Sequence, residues 1–114
     1  MKTLFYTALS ALALISCSSN ETKMEKGNLK GDWVIVKAEG MMAEENLGTH
    51  YIFDDNKLTF SKNGFDNPAK STITDSTFTW NNGSMVMEYD YYFENNQLVA
   101  EPKGSDQKLY LEKE

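Results

Sequence analysis

Few residues in this 114-residue chain could do chemistry: one cysteine, Cys17, one histidine, His50, and carboxylates scattered among 17 acids. A hydrolytic site needs a nucleophile beside a base. Here His50 adjoins Tyr51 at the head of an apolar run, and no serine lies in a nucleophile-elbow sequence. Glu44, Glu45 and His50 are metal-ligand types, but their spacing matches no zinc motif. Asp54-Asp55-Asn56 begins like a calcium loop, yet the glycine and the distal glutamate are missing at the required offsets, so it reads as a hairpin turn. Glu88 and Asp90 alternate with apolar neighbours and belong to a solvated strand face, not to an acid–base pair. The chain is therefore expected to be no enzyme and to carry no metal or cofactor.

Cys17 has a different chemistry. Lys2, the apolar run Leu4 to Ile15 and the small residue Ser16 precede it in the order of a secretory signal. The run is 12 residues, whereas a bilayer-spanning helix needs about 20, so it is a cleaved signal helix and not a permanent anchor. Leu14-Ile15-Ser16-Cys17 resembles the bacterial lipobox. That resemblance implies diacylglycerol and palmitate attached at Cys17, after which the signal is removed. With no second cysteine, Cys17 cannot be half of an internal disulfide. Each acyl methylene buried in a bilayer contributes about 0.8 kcal/mol, so two or three chains hold the protein to the membrane. Ser18 stands where an aspartate would resemble an inner-membrane retention signal, which points to the outer membrane. Whether the chain faces the periplasm or the outside is left open.

Removing residues 1–16 takes away Lys2 and no acid, which moves the formal charge from −6 to −7 over the remaining 98 residues. The chain contains no arginine. Nucleic-acid binding, which depends on clustered cations neutralising phosphates, is excluded as a function class. Close contact of the domain with anionic lipid is disfavoured for the same reason.

The elements that position these residues follow from the pattern after the anchor. Residues 17–28 are the lipidated cysteine and a polar tether, and residues 29–114 form one domain. Short runs rich in Val, Ile, Phe, Tyr, Trp and Thr recur at intervals of about 8 to 12 residues, the rhythm of an all-β domain. Strands are expected at Trp33–Glu39, Thr49–Phe53, Lys57–Lys62, Ala69–Thr74, Ser76–Trp80, Met85–Phe93, Gln97–Glu101 and Gln107–Lys113. Asp54-Asp55-Asn56, Asn63-Gly64, Asn81-Asn82-Gly83, Asn95-Asn96 and Pro102 to Ser105 are the turns between them. Gly40 to Gly48 is a long first loop, able to hold a helical turn. Phe78 and Trp80 alternate with Thr77 and Thr79, Leu58 and Phe60 with Thr59 and Ser61, and Met85, Met87, Tyr89, Tyr91 and Phe93 with Val86, Glu88, Asp90 and Tyr92, so one face packs and one is wet. An antiparallel up-and-down meander of about eight short strands loses its exposed edges by closing into a barrel.

Leu29-Lys30-Gly31-Asp32-Trp33 looks like the Gly-x-Trp opening of lipocalin-like domains, and the later strands keep a similar rhythm to Lys113. The chain resembles the small lipocalin-like lipoproteins of bacteria over nearly all of residues 29–113. This resemblance implies that Trp33 plugs the closed end of the barrel and that the barrel takes a small apolar or amphipathic ligand. The sequence departs from the pattern twice. No arginine exists to pack over the tryptophan as in larger lipocalins, and Thr74-Asp75 is not followed by an aromatic. The expected interior is Trp33, Phe53, Phe60, Phe78, Trp80, Tyr89 and Tyr91. In an eight-stranded barrel, which holds side chains or one small ligand, these rings serve either as pocket wall or as solid core. If they fill it, the protein is instead a scaffold presenting loops, or the Tyr91-Tyr92 strand edge, to a protein partner. Met41 and Met42 lie in the first loop, over the barrel end.

Overall fold

The computed structural model describes residues 27–114; the expected signal segment and Cys17 lie outside the described residues. Eight antiparallel strands close in sequence order into a barrel: β1 Gly31–Glu39, β2 His50–Asp54, β3 Lys57–Lys62, β4 Phe65–Lys70, β5 Thr77–Asn81, β6 Val86–Glu94, β7 Gln97–Pro102 and β8 Lys108–Lys113. Closure is made by β1 against β8, from Trp33 opposite Lys113 to Glu39 opposite Lys108, with an irregularity between Ile35 and Lys37. An extra residue at such a bulge bends the strand and increases its twist, which helps a sheet meet itself.

Local chemistry sets the hairpins. Asn63-Gly64 and Asn95-Asn96 all adopt positive φ, the backbone of the two-residue turn that matches strand twist. The longer β5–β6 corner, residues 82–85, is held by amide side chains. Asn82 Oδ1 accepts from the N–H groups of Ser84 and Met85 at 2.9 and 2.8 Å, and Asn81 Oδ1 accepts from Gly83 N–H at 2.9 Å.

Two expectations are corrected. The fourth strand is Phe65–Lys70 and not Ala69–Thr74. Its sequence, Phe-Asp-Asn-Pro-Ala-Lys, is poor in strand formers, so propensity alone places the strand beyond Pro68. The two-residue turn overrides it, because Lys62 pairs with Phe65 and the register then runs unbroken to Lys57 opposite Lys70. The second concerns Tyr91-Tyr92: β6 pairs with β5 on one side and β7 on the other, so this strand has no edge. The first loop contains a short 3-10 helix, Ala43–Asn46, with Ala43 buried under it.

The seam between β4 and β5 is the weak line of the barrel, with one paired position, Lys70 opposite Asn81. Thr79 N–H donates to Thr72 O at 3.1 Å and Thr72 N–H to Thr79 Oγ1 at 2.9 Å just below it. Because Lys62 and Phe65 close a two-residue turn, alternate residues Asp66, Pro68 and Lys70 turn their backbone groups toward the seam. Proline has no N–H to offer there, the usual place for proline in a sheet.

An up-and-down barrel has two distinct ends. The base holds the chain entry at Leu29, the β2–β3, β4–β5 and β6–β7 connections and the end of β8; the rim holds the other four connections.

Candidate functional site

Barrel closure turns one face of each strand inward and brings the seven predicted interior residues together. Trp33, Phe53, Phe78, Trp80, Tyr89 and Tyr91 are buried, and Phe60 packs against them partly buried. Their rings touch in a continuous series. Tyr51 and Phe60 lie 4.6 Å apart between centroids, Phe78 stacks on Tyr89 at 4.6 Å, Phe60 stacks on Trp80 at 5.1 Å, and Phe53 meets Phe78 edge-on at 5.0 Å. Such geometries add attraction beyond burial itself. Three clefts of about 430 to 540 Å³ lie on the outside, lined by loops and strand ends and not by these rings.

Tyr51, absent from the predicted interior set, belongs to it. It follows His50 in alternation, and its period of two with Phe53 was the available signal. Its hydroxyl lies 3.4 Å from that of Tyr89. Burial pushes both phenols above their ordinary range, Tyr51 well above it, because a phenolate would lose its hydration inside the barrel. Each hydroxyl can donate once and accept twice, and this single long contact leaves the pair under-bonded. Ser71 adds a second polar group inside, its buried Oγ lacking a protein partner.

At the base, the indole N–H of Trp33 donates to Leu29 O at 2.9 Å, and Leu29 is itself buried beneath the ring. The chain has no arginine to cover this tryptophan. Instead Lys113 Nζ lies 5.1 Å from the ring centroid and donates to Lys30 O at 2.8 Å, a cation–π contact with a capped carbonyl. Register explains it, since Lys113 is the residue of β8 opposite Trp33. Gly31 has φ +129°, and a Cβ there would stand 2.6 Å from Lys113 Cε. The glycine of Gly-x-Trp thus lets the lysine pass. Tyr91 Oη donates to Thr74 O at 2.6 Å and accepts from Gly27 N–H. Burial raises the Tyr91 phenol, against the opposing effect of the Gly27 hydrogen bond. Where the pattern of larger lipocalins has an aromatic after Thr-Asp, Thr74 Oγ1 caps a turn, accepting from Ser76 and Thr77 N–H at 3.2 and 2.9 Å.

On the outer wall, His50 Nδ1 is 2.8 Å from Asp32 Oδ1, and Ser61 lies opposite His50 on β3. The trio resembles a triad in order, but Ser61 Oγ donates to Asp66 Oδ1 at 2.6 Å. The backbone N–H groups around it serve the β1–β2–β3 ladder. No proton path from serine to imidazole is made. Glu44 and Glu45 lie on the 3-10 helix, and among the described residues no three His, Cys, Asp or Glu gather in metal-binding geometry.

Lys62 Nζ donates to Glu45 O at 2.5 Å, Gln107 Nε2 to Met41 O at 3.1 Å and Asn46 Nδ2 to Gln107 Oε1 at 3.3 Å. Met41 and Met42 do not roof the barrel: both point into solvent while Ala43 packs inward. No protein-family model, curated protein or solved structure matches the chain, so its likeness to lipocalin-like domains rests on the closed eight-stranded antiparallel barrel and the plugged base.

Proposed function

We propose that this chain is a lipid-tethered protein of the bacterial envelope, held in the outer membrane through Cys17, whose barrel acts by binding and not by catalysis. Its interior is taken up by its own side chains, and recognition falls to its outer surfaces. The observation that carries this reading is the unbroken ring series Trp80, Phe60, Tyr51, Phe78 and Tyr89, with neighbouring centroids 4.6 to 6.5 Å apart. A barrel of eight strands has room for side chains or for one small ligand, and large rings in contact use that room. The lipobox-like Leu14-Ile15-Ser16-Cys17 supports the tether. The diversion of the Ser61 hydroxyl proton to Asp66 supports a non-catalytic role.

A second reading, a small amphipathic ligand inside the barrel, is favoured by one observation: the Tyr51–Tyr89 hydroxyl pair and the Ser71 hydroxyl are buried with hydrogen-bonding capacity unspent. One experiment addresses both readings. Cells fed an alkyne palmitate analogue should label the protein but not its Cys17→Ala variant, which should move to the soluble fraction. The native mass spectrum of the purified protein should then give the chain plus its anchor. A further stoichiometric small molecule would decide for the second reading, and an unlabelled, soluble wild type would remove the tether.

A further inference from the structure

We infer that the rim of the barrel, at the end opposite the tether, is a docking surface for a cationic amphipathic segment of another protein. This deepens the binding role proposed above and takes its orientation from lipidation of Cys17.

The tether enters at the base. Gly27 N–H donates to Tyr91 Oη, Tyr91 Oη donates to Thr74 O, and Leu29 is buried under Trp33. Only about ten residues separate Cys17 from this fixed point. The rim is at the far end of every strand, so it faces away from the bilayer.

Among the described residues, six of the seven large apolar side chains that stay exposed lie in or beside three of the rim's four connections, the seventh being Val36 on β1. Met41, Met42 and Leu47 lie between β1 and β2, Phe65 follows the β3–β4 turn, and Met85 and Val86 lie at the β5–β6 corner. Phe65 and Met41 are 76% and 74% exposed, an unusual concentration for a surface without an occupant. The loop that carries the methionines is held in place. Gly40 lies so close to the β7–β8 loop that a Cβ would stand 2.7 Å from Asp106 O. Met42 has φ +60°, a backbone region that a long unbranched side chain occupies only under constraint. The constraint aims Met42 outward, and methionine adapts its shape to varied apolar partners.

Charge selects among occupants. Glu44, Glu45 and Asp66 lie in or beside these connections and Asp106 lies in the fourth; of the nearby lysines, Lys62 at the end of β3 is engaged with Glu45 O and Lys103 is paired with Glu88 and Asp90. An acidic border around an apolar surface attracts a basic amphipathic segment and repels anionic lipid headgroups.

The test uses the Cys17-containing protein as cells make it, in phosphatidylcholine nanodiscs, with 13C-methyl methionines. It is titrated with a synthetic leucine–lysine amphipathic peptide. The methyl signals of Met41, Met42 and Met85 should shift saturably, while that of Met87, packed against the core, stays in place. Phe65→Ser and, separately, Met42→Ser should each weaken binding by about tenfold or more, the loss expected for a large apolar contact. A leucine–glutamate peptide should give no shift. No saturable shift, or an equal shift with the leucine–glutamate peptide or with added phosphatidylcholine vesicles, overturns the inference. Protein that fails to enter nanodiscs refutes the tether instead, and the same titration in buffer still tests the rim.

Discussion

Trp33 is where one side chain closes the barrel, and its replacement can be worked out in parts. The indole is buried, donates to Leu29 O at 2.9 Å, lies 6.2 Å from Phe93 and carries Lys113 Nζ over its face. Trp33→Ala removes the ring and leaves a cavity beneath β1, a change that costs about 3 to 5 kcal/mol in packed cores. It also leaves the Leu29 carbonyl without its donor, for about 1 kcal/mol more. A domain of this size holds in total about 4 to 13 kcal/mol, so the variant should lose from about a third to all of its stability. Trp33→Phe keeps an aromatic plug but loses the N–H and part of the volume, and should cost about 1 to 3 kcal/mol. Urea denaturation followed by far-ultraviolet circular dichroism gives both values, with an unchanged slope marking an intact two-state transition. A loss below about 1 kcal/mol in Trp33→Ala would show that the base is closed by something other than this ring.

Gly40→Ala should destabilise the domain by about 1 to 3 kcal/mol, since φ +106° disfavours any side chain and the new Cβ would approach Asp106 O to 2.7 Å; thermal melting measures it. Alkaline pH should weaken the fold. Tyr51 and Tyr89 have folded pKa values raised above the ordinary 10.0 by burial, so their stabilising effect is complete below about pH 10. It fades as pH rises from there through the folded values, as the unfolded chain releases phenol protons that the native state retains. Tyr51→Phe should flatten that decline in urea midpoints taken from pH 9 to 11. Pro68→Thr restores an N–H on the seam side of β4, where pairing with β5 is confined to Lys70 and Asn81. This exposed strand should then recruit a second chain, giving concentration-dependent dimers in sedimentation velocity, while a strict monomer would show that proline does not guard the seam.

Much of this architecture is legible in the amino-acid order because its causes are local. The alternation of Phe78 and Trp80 with Thr77 and Thr79 sets one inward face, and Asn63-Gly64 and Asn95-Asn96 supply the positive φ that hairpins need. Eight such strands with no partner sheet leave closure as the way to cover their edges, and the inward faces then bring Trp33, Phe53, Phe60, Phe78, Trp80, Tyr89 and Tyr91 into one interior. The position of β4 escapes a propensity reading because hairpin register outweighs the poor strand formers Asp66, Asn67 and Pro68.

Other features exist only after closure. Lys113 over Trp33, the passage that Gly31 leaves for it, the approach of Gly40 to Asp106 and the meeting of the Tyr51 and Tyr89 hydroxyls join residues 38 to 82 positions apart. No periodicity encodes contacts of that range. They depend on how far each strand is staggered as β8 returns to β1, and stagger is decided jointly by the bulge after Ile35, the turn lengths and the volume of the rings inside. The sequence by itself determines that the strands pair, where most of them turn and which side chains face inward, because those properties reside in neighbouring residues. The tertiary structure decides which cation covers the tryptophan, where the wall is weak and which end presents its apolar side chains, because those depend on how the sheet meets itself.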